Sequence, residues 1–189
     1  MIQIKNAAEL QKMRKACAIS AAALKAGGEA IEPGITTAEI DKIIYDFIVR
    51  HGARPNFLHL YGFPATACIS VNDTVIHGIP NKQQQIRPGD IVSIDTGCKI
   101  DGFNGDNACT YACGKIDLEA QRLLDVTKES LHRGIEMACG GNRVGDIGHA
   151  VQSYVEENGF LRRAYLRRPR CRQGVARGPG GPELRQCRT

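Results

Sequence analysis

An Asp-Gly pair between two segments of alternating side chains constrains this chain more than any other feature. Asp101 and Gly102 separate residues 91–100 from residues 103–113. Both central residues of a type I′ turn have positive φ, and Asp-Gly is among the few pairs that adopt this conformation readily. The sequence therefore predicts a β-hairpin with a two-residue turn, and this turn fixes the register of its two strands.

The predicted register brings two acidic residues onto one face of the hairpin. Pairing away from the turn places Asp95 opposite Ala108 and Asp106 opposite Gly97. Because successive side chains of a strand point to opposite faces, the two aspartates form a diagonal pair, roughly 7–8 Å apart at the backbone. Taken alone, each could instead cap a turn or pair with a lysine. Two converging carboxylates are costly to bury, and a pair of divalent ions roughly 3.5–4 Å apart would offset that cost.

The composition fits one globular domain with an aliphatic core. The chain has 189 residues, 42% of them hydrophobic, and contains no tryptophan. No run approaches the ~18 apolar residues of a membrane span, so no membrane association is expected. The N-terminal residues lack the charged-then-apolar pattern of a signal peptide. The eight cysteines have no framework spacing. Unpaired thiols and no signal peptide predict a cytoplasmic protein.

The order of helical and strand patterns predicts an α+β fold. The first helix begins at a capping arrangement of Asn6 and Glu9 and ends at the Gly27-Gly28 pair, and the second begins at a capping box of Thr36 and Glu39. Residues 54–64 are expected to form an irregular loop. The predicted elements are a helix over 6–27, a helix over 36–52, a strand over 67–71, the hairpin, and helices over 117–140 and 144–158.

The C-terminal tail differs in chemistry from the rest of the chain. Residues 1–160 carry 16 Lys and Arg against 19 Asp and Glu, whereas residues 161–189 carry nine Arg, no Lys and one acid. The tail has no apolar periodicity, and the Gly-Pro-rich stretch 178–182 breaks any regular element. A basic tail that binds nucleic acid, a disordered end and a shifted reading frame are the three alternatives.

The shifted reading frame accounts best for the tail. Codons allowed for residues 161–185, read with one base skipped, can spell SVVRTFVGHGVGKELHEAPEVPNFG. Because the observed residues largely fix two bases of each codon, only a few amino acids are possible at each position of the shifted frame. A long protein-like sequence in that frame is therefore rare by chance. The string restores lysine, acids and a glycine motif with histidine. We hypothesise one extra base near codon 160 or 161, a domain boundary at residue 160, and no specific nucleic-acid partner.

Three ordered motifs resemble those of type I methionine aminopeptidases, which are pita-bread metallopeptidases. The resemblance covers residues 1–160. It implies an α+β pita-bread fold, built from two pseudo-symmetric halves around a dinuclear metal site. It further implies that residues 1–160 form an incomplete catalytic domain, in which the N-terminal half is complete and the C-terminal half is largely missing. The motifs are Ser70-Val71-Asn72-Asp73-x-x-Ile76-His77-Gly78-Ile79-Pro80, Gly89-Asp90-Ile91-Val92-x-Ile94-Asp95 and Asp101-Gly102-Phe103-x-Gly105-Asp106.

The resemblance also implies roles for particular residues. Asp95 and Asp106 match the two aspartate ligands of a pair of divalent ions (Co, Mn, Fe or Zn), with Asp106 bridging. His77 matches a catalytic histidine that contacts the substrate near the scissile bond. Phe63 is a candidate for the pocket around the methionine side chain, with core packing as an equal alternative. The other ligands, one His and two Glu, belong to the second half, and the shifted-frame string contains the His motif GHGVG.

The implied activity is metal-dependent removal of the initiator methionine from nascent proteins and peptides. The substrate would be the N-termini of nascent polypeptides. The enzyme would associate with the ribosome and would be a monomer. This chain supplies only two of the five expected ligands, and half of the sheet is missing. We therefore expect it to bind metal weakly, to be impaired in catalysis, and to expose an apolar face. A non-catalytic pita-bread binding module is the alternative. Two aspartates retained in register argue against that alternative.

Overall fold

Helices and antiparallel strands make up each of the two compact units into which the chain divides. The computed structural model describes residues 4–162 and 184–186. The units span residues 1–116 and 117–189. The first contains α1 (Ala7–Glu29), α2 (Thr37–Arg50), β1 (Arg54–Pro55), β2 (Ala67–Val71), β3 (Ile91–Ile100) and β4 (Phe103–Ala112). The second contains α3 (Leu118–Glu136), α4 (Val144–Glu157), β5 (Phe160–Arg162) and β6 (Leu184–Gln186). This content confirms the predicted α+β class.

The hairpin of β3 and β4 has the predicted turn and the predicted register. Asp101 has φ 52° and Gly102 has φ 85°, as a type I′ turn requires. Ile100 pairs with Phe103, and the ladder continues without interruption to Ile91 opposite Ala112. The strand predicted over 67–71 is also confirmed as β2.

The sheet of the first unit has one face packed against helices and one face that carries polar residues. Strand β3 pairs with β4 on one side and with β1 and β2 on the other. Val92, Ile94 and Cys98 of β3 are buried in a core shared with Ile40 and Ile44 of α2. Because alternate residues point to opposite faces, Ser93, Asp95 and Gly97 of β3 lie on the other face.

Capping boxes fix the beginnings of both helices of the first unit, as predicted. The Asn6 side chain accepts a hydrogen bond from the Glu9 amide, and the Glu9 carboxylate accepts one from the Asn6 amide. Thr36 and Glu39 form the same reciprocal pair at the start of α2. Each box satisfies two amide groups that a helix leaves without partners at its N-terminus.

The prediction that Gly27-Gly28 ends the first helix was wrong. Helix α1 continues to Glu29, and both glycines are buried within it. A Cβ on Gly27 would lie 2.7 Å from Ile44 Cδ1, and a Cβ on Gly28 would overlap the ring of Tyr111. The glycine pair therefore allows α2 and β4 to approach α1 closely. The sequence alone does not distinguish glycines that permit close packing from glycines that end a helix.

Two further predictions of element bounds differ from the structure. The segment predicted as an irregular loop contains β1, which pairs with Lys99 and Cys98, and a short 3₁₀ turn over Leu60–Gly62. Helix α3 ends at Glu136, four residues before the predicted end. In the second unit, Val126, Val155 and Phe160 form a small core between α3, α4 and β5.

The predictions for the tail lie almost entirely outside the described residues. Strand β5 pairs with β6, a short strand that the sequence did not predict. Residues 163–183 and 187–189 are not described, so the domain boundary at 160 and the shifted frame stay predictions. No helix in the described part of the chain is long and apolar enough to cross a membrane.

Asp41 of α2 holds the start of β2. Its Oδ1 accepts hydrogen bonds from the amides of Thr66 (2.9 Å) and Ala67 (2.8 Å). Burial raises the pKa of Asp41, while these two backbone hydrogen bonds act in the opposite direction. One carboxylate thus satisfies two amides at the point where the chain enters the sheet.

We expect Asp41→Ala to lower the free energy of unfolding by about 2 kcal/mol, because two amides at the sheet entrance lose their acceptor. Asp46→Ala is the matched control, since Asp46 lies on the same helix in an exposed ion pair with Lys42. Such pairs contribute less than about 0.5 kcal/mol. Urea denaturation followed by circular dichroism measures both values. Equal losses for the two variants would contradict the assigned role of Asp41.

Candidate metal centre

Asp95 and Asp106 form a diagonal pair on neighbouring strands of the sheet. Asp95 of β3 pairs with Ala108 of β4, and Gly97 of β3 pairs with Asp106. The two aspartates are therefore two register positions apart and share the face of the sheet opposite α1 and α2. Asp95 is partly buried and Asp106 is exposed. The structure confirms the juxtaposition that the Asp-Gly turn predicts.

The surroundings of Asp95 make its ionised form costly. Burial raises the pKa of Asp95 to about 6, and the negative charge of Asp106 and hydrogen bonding with its carboxyl group add to this effect. His77 acts in the opposite direction through the positive charge that it can carry. Asp106 and His77 therefore each lie close enough to Asp95 to act on its charge, as a common site requires.

Cys68 forms one wall of the site. It lies on β2 directly opposite Asp95 and is 7% exposed. Burial raises the pKa of the Cys68 thiol to about 12, with further contributions from the charges of Asp95, Asp106 and Asp41. The protonated thiol is an uncharged, polarisable surface beside the carboxylates.

His77 lies in a loop that returns along β2. Its φ of 55° is in the left-handed region. The following residue, Gly78, accepts a hydrogen bond from the Ile69 amide (2.9 Å) and donates one to Ser70 Oγ (3.1 Å). A Cβ on Gly78 would overlap the carbonyl oxygen of Ile69, so only glycine allows this close approach. The loop thus places an exposed histidine beside the carboxylate pair.

Asn72 ties the other end of this loop to the start of β3. Its side-chain Oδ1 accepts from the Ile91 amide (3.0 Å), and its Nδ2 donates to Asp90 Oδ1 (2.9 Å). The other oxygen of Asp90 accepts from the Arg87 amide (2.8 Å). Asn72 has φ 52°, a conformation that asparagine tolerates better than most residues. Asn72 and Asp90 belong to two different sequence motifs, and only the folded chain shows the link between them.

Phe63 lies in the turn that precedes β2. Its amide donates to the Leu60 carbonyl (3.0 Å), and its own carbonyl accepts from the His59 amide (2.8 Å). The side chain is partly buried. The hydrogen bonds fix the backbone of Phe63, and its contact with a substrate stays a prediction.

The donor set fits part of a divalent-metal site. Carboxylate oxygens suit ions such as Mn, Fe, Co and Zn. Burial and mutual repulsion disfavour the ionised form of Asp95, and a cation held by both carboxylates would relieve both effects. Among the described residues, no group of three or more His, Cys, Asp or Glu is arranged to hold an ion. The pair therefore fits as two ligands of such a site.

Comparison with known protein families identifies relatives among metallopeptidases. The model of metallopeptidase family M24 matches residues 11–180. A methionine aminopeptidase of Clostridium perfringens is 49% identical over 160 residues, which cover 85% of this chain and 64% of the relative. Methionine aminopeptidase 1 of Bacillus subtilis is 43% identical over the same length with the same coverage. The chain thus spans 64% of the length of these curated relatives.

Solved structures share the fold of this chain. Methionine aminopeptidases of Rickettsia prowazekii and Thermotoga maritima superpose with a TM-score of 0.83 at 36% and 37% identity. Each alignment covers 86% of this chain and 65% of the solved chain. Escherichia coli aminopeptidase P, at 24% identity and a TM-score of 0.71, shares the fold alone. These relatives confirm the predicted pita-bread fold, and the partial coverage fits the prediction that much of the C-terminal half is missing.

We expect the stability of the metal-free protein to fall as pH rises from about 4 to about 6. The folded pKa of Asp95 lies above its ordinary value of 3.8, so the folded state holds this proton more tightly than the unfolded state. The resulting stability is fully present below pH 4 and is lost as pH rises through 6. After allowance for solvent screening, Asp95 should contribute about 1–2 kcal/mol to this fall.

The variant Asp95→Asn isolates this contribution. It should match the wild type near pH 4 and exceed it in the free energy of unfolding at pH 7. Urea denaturation at several pH values, with a chelator present, makes the measurement. Asp125→Asn, on an exposed position of α3, should follow the wild type throughout. If the free energies of unfolding of Asp95→Asn and the wild type depended on pH in parallel, the raised pKa of Asp95 would be contradicted.

Proposed function

The chain belongs to metallopeptidase family M24, and on this premise we propose that it represents an enzyme that removes N-terminal methionine from proteins and peptides. The observation that carries this proposal is the Asp95–Asp106 pair with His77 beside it. The names of the curated relatives support methionine as the residue released. Nascent polypeptide N-termini, met at the ribosome in the cytoplasm by a monomeric enzyme, are the proposed substrate and setting.

The two aspartates would hold a pair of divalent ions, Co, Mn, Fe or Zn, with Asp106 bridging them. When bound, such ions supply the Lewis acidity that makes water nucleophilic near neutral pH. The carboxylates contribute negative charge on the face of the sheet opposite α1 and α2, where a peptide carrying a positively charged N-terminus would bind. Their mutual repulsion in the metal-free protein supports a role in binding cations.

His77 and Cys68 would contact the substrate. A ring nitrogen of His77 would donate a hydrogen bond to the carbonyl oxygen of the scissile bond as negative charge develops there. The buried Cys68 thiol offers an apolar, polarisable surface against which a methionine thioether can pack. Phe63 would extend this surface with its ring.

This particular chain is proposed to be impaired. The described residues provide two carboxylate ligands, and three further ligands are expected from the second half of the family's fold. Large apolar side chains of the second unit are exposed, which supports the prediction of an uncovered surface and a tendency to aggregate. They are Leu118, Leu131, Ile135 and Val144.

Removing one base near codon 160 tests the proposed activity and the impairment together. The frame-corrected protein should release methionine from a Met-Ala-Ser peptide when Mn²⁺ or Co²⁺ is added. The 189-residue chain should be at least ~10³-fold slower, because much of the metal's stabilisation of the transition state is lost. Methionine release measured by chromatography gives both rates.

Variants of the frame-corrected protein assign the roles. Asp95→Asn and Asp106→Asn should abolish release, and His77→Ala should lower kcat by about 10²–10³ because a hydrogen bond to the developing charge is lost. Asp125→Asn serves as the control that retains activity. A frame-corrected protein that releases no methionine would refute the proposed function. Normal turnover by the 189-residue chain would refute the impairment.

A further inference from the structure

We propose that Ser70 is a positioning residue for His77: its hydroxyl oxygen holds the His77–Gly78 peptide unit and thereby directs the imidazole toward the Asp95–Asp106 pair. This inference rests on the proposed function, in which His77 contacts the substrate. It adds a residue of β2 that neither binds the metal nor contacts the peptide. Ser70 would instead determine where a group that does so is placed.

Two successive residues of β2 hold a single residue of the loop. The Ile69 amide donates to the Gly78 carbonyl at 2.9 Å, and Ser70 Oγ accepts from the Gly78 amide at 3.1 Å. Ser70 is 5% exposed, so water competes little for this hydrogen bond. The Gly78 amide belongs to the peptide unit that follows the His77 Cα. Fixing that unit fixes the backbone from which the imidazole projects.

The conformation of His77 needs such support. Its φ of 55° is one that residues with a Cβ adopt only when the surrounding structure holds them there. Gly78 lies so close to Ile69 that a Cβ on it would overlap the Ile69 carbonyl oxygen. The loop is therefore pressed against β2 at Gly78, and Ser70 supplies the side-chain hydrogen bond at this point of contact.

Ser93 provides a matched comparison within the same sheet. It pairs directly with Ser70 across β2 and β3. Its Oγ lies 2.8 Å from Thr110 Oγ1, so its hydrogen bond joins two strands of the sheet rather than the loop of His77. Substitution by alanine removes a strand hydroxyl group at either position. Only the hydroxyl group of Ser70 is hydrogen-bonded to the loop that carries His77.

Amide exchange in the wild-type 189-residue chain tests the hydrogen bond directly. Nuclear magnetic resonance should show the Gly78 amide protected to within about 10-fold of the Ile69 amide, since both belong to the same contact. A Gly78 amide that exchanges at the rate of an unstructured peptide would overturn the proposal. This measurement needs no variant, and it therefore decides the point even if substitutions at Ser70 prevent folding.

Variants then test positioning rather than structure alone. In Ser70→Ala, the ring cross-peak of His77 at fixed pH should move toward the position of a free histidine, and the Gly78 amide should exchange at least about 10-fold faster. The cross-peaks of the other histidines should stay in place. Ser70→Thr, which keeps the oxygen, should restore both signals, and Ser93→Ala should leave them unchanged.

The outcomes separate this proposal from the proposed function. An unmoved His77 cross-peak in a folded Ser70→Ala protein would overturn the positioning role, as would an equal shift in Ser93→Ala. Both readouts are taken without metal and without turnover. A frame-corrected protein that failed to release methionine would therefore refute the proposed function and leave the result for Ser70 standing.

Discussion

The register of one β-hairpin determines whether this chain has a site at all. Positive φ at Asp101 and Gly102 closes a two-residue turn, and the turn pairs Ile100 with Phe103. Because side chains alternate along a strand, a slip of one residue would move Asp95 onto the face that packs against the helices. Val92 and Ile94 are buried on that face and oppose such a slip. Local turn chemistry and burial thus specify the same arrangement.

The site that results is costly to the metal-free fold. Two carboxylates share a partly buried surface, and the proton affinity of Asp95 rises as a consequence. The group that opposes this rise is His77, which lies in a loop with a strained backbone conformation. Burial of aliphatic side chains between the sheet and α2 offsets the cost of this strain and repulsion.

Sequence patterns predicted those parts of the structure that depend on local interactions. The turn, the two capping boxes and the diagonal placement of Asp95 and Asp106 follow from residues near one another in the chain. Gly27-Gly28 was misread because its reason, close approach to Ile44 and Tyr111, is tertiary. The hydrogen bond from Gly78 to Ser70 and the link between Asn72 and Asp90 were missed for the same cause. Each joins segments that only the folded chain brings together.

Paramagnetic broadening by Mn²⁺ tests the central claim, that the hairpin creates a cation site at the aspartate pair. Substoichiometric Mn²⁺ added to the isotope-labelled chain should broaden first the amide signals of Asp95, Asp106 and their cross-strand neighbour Cys68. Asp106→Asn should remove this local effect. Broadening centred on other acids, such as Asp90, or spread evenly over the chain would contradict the account.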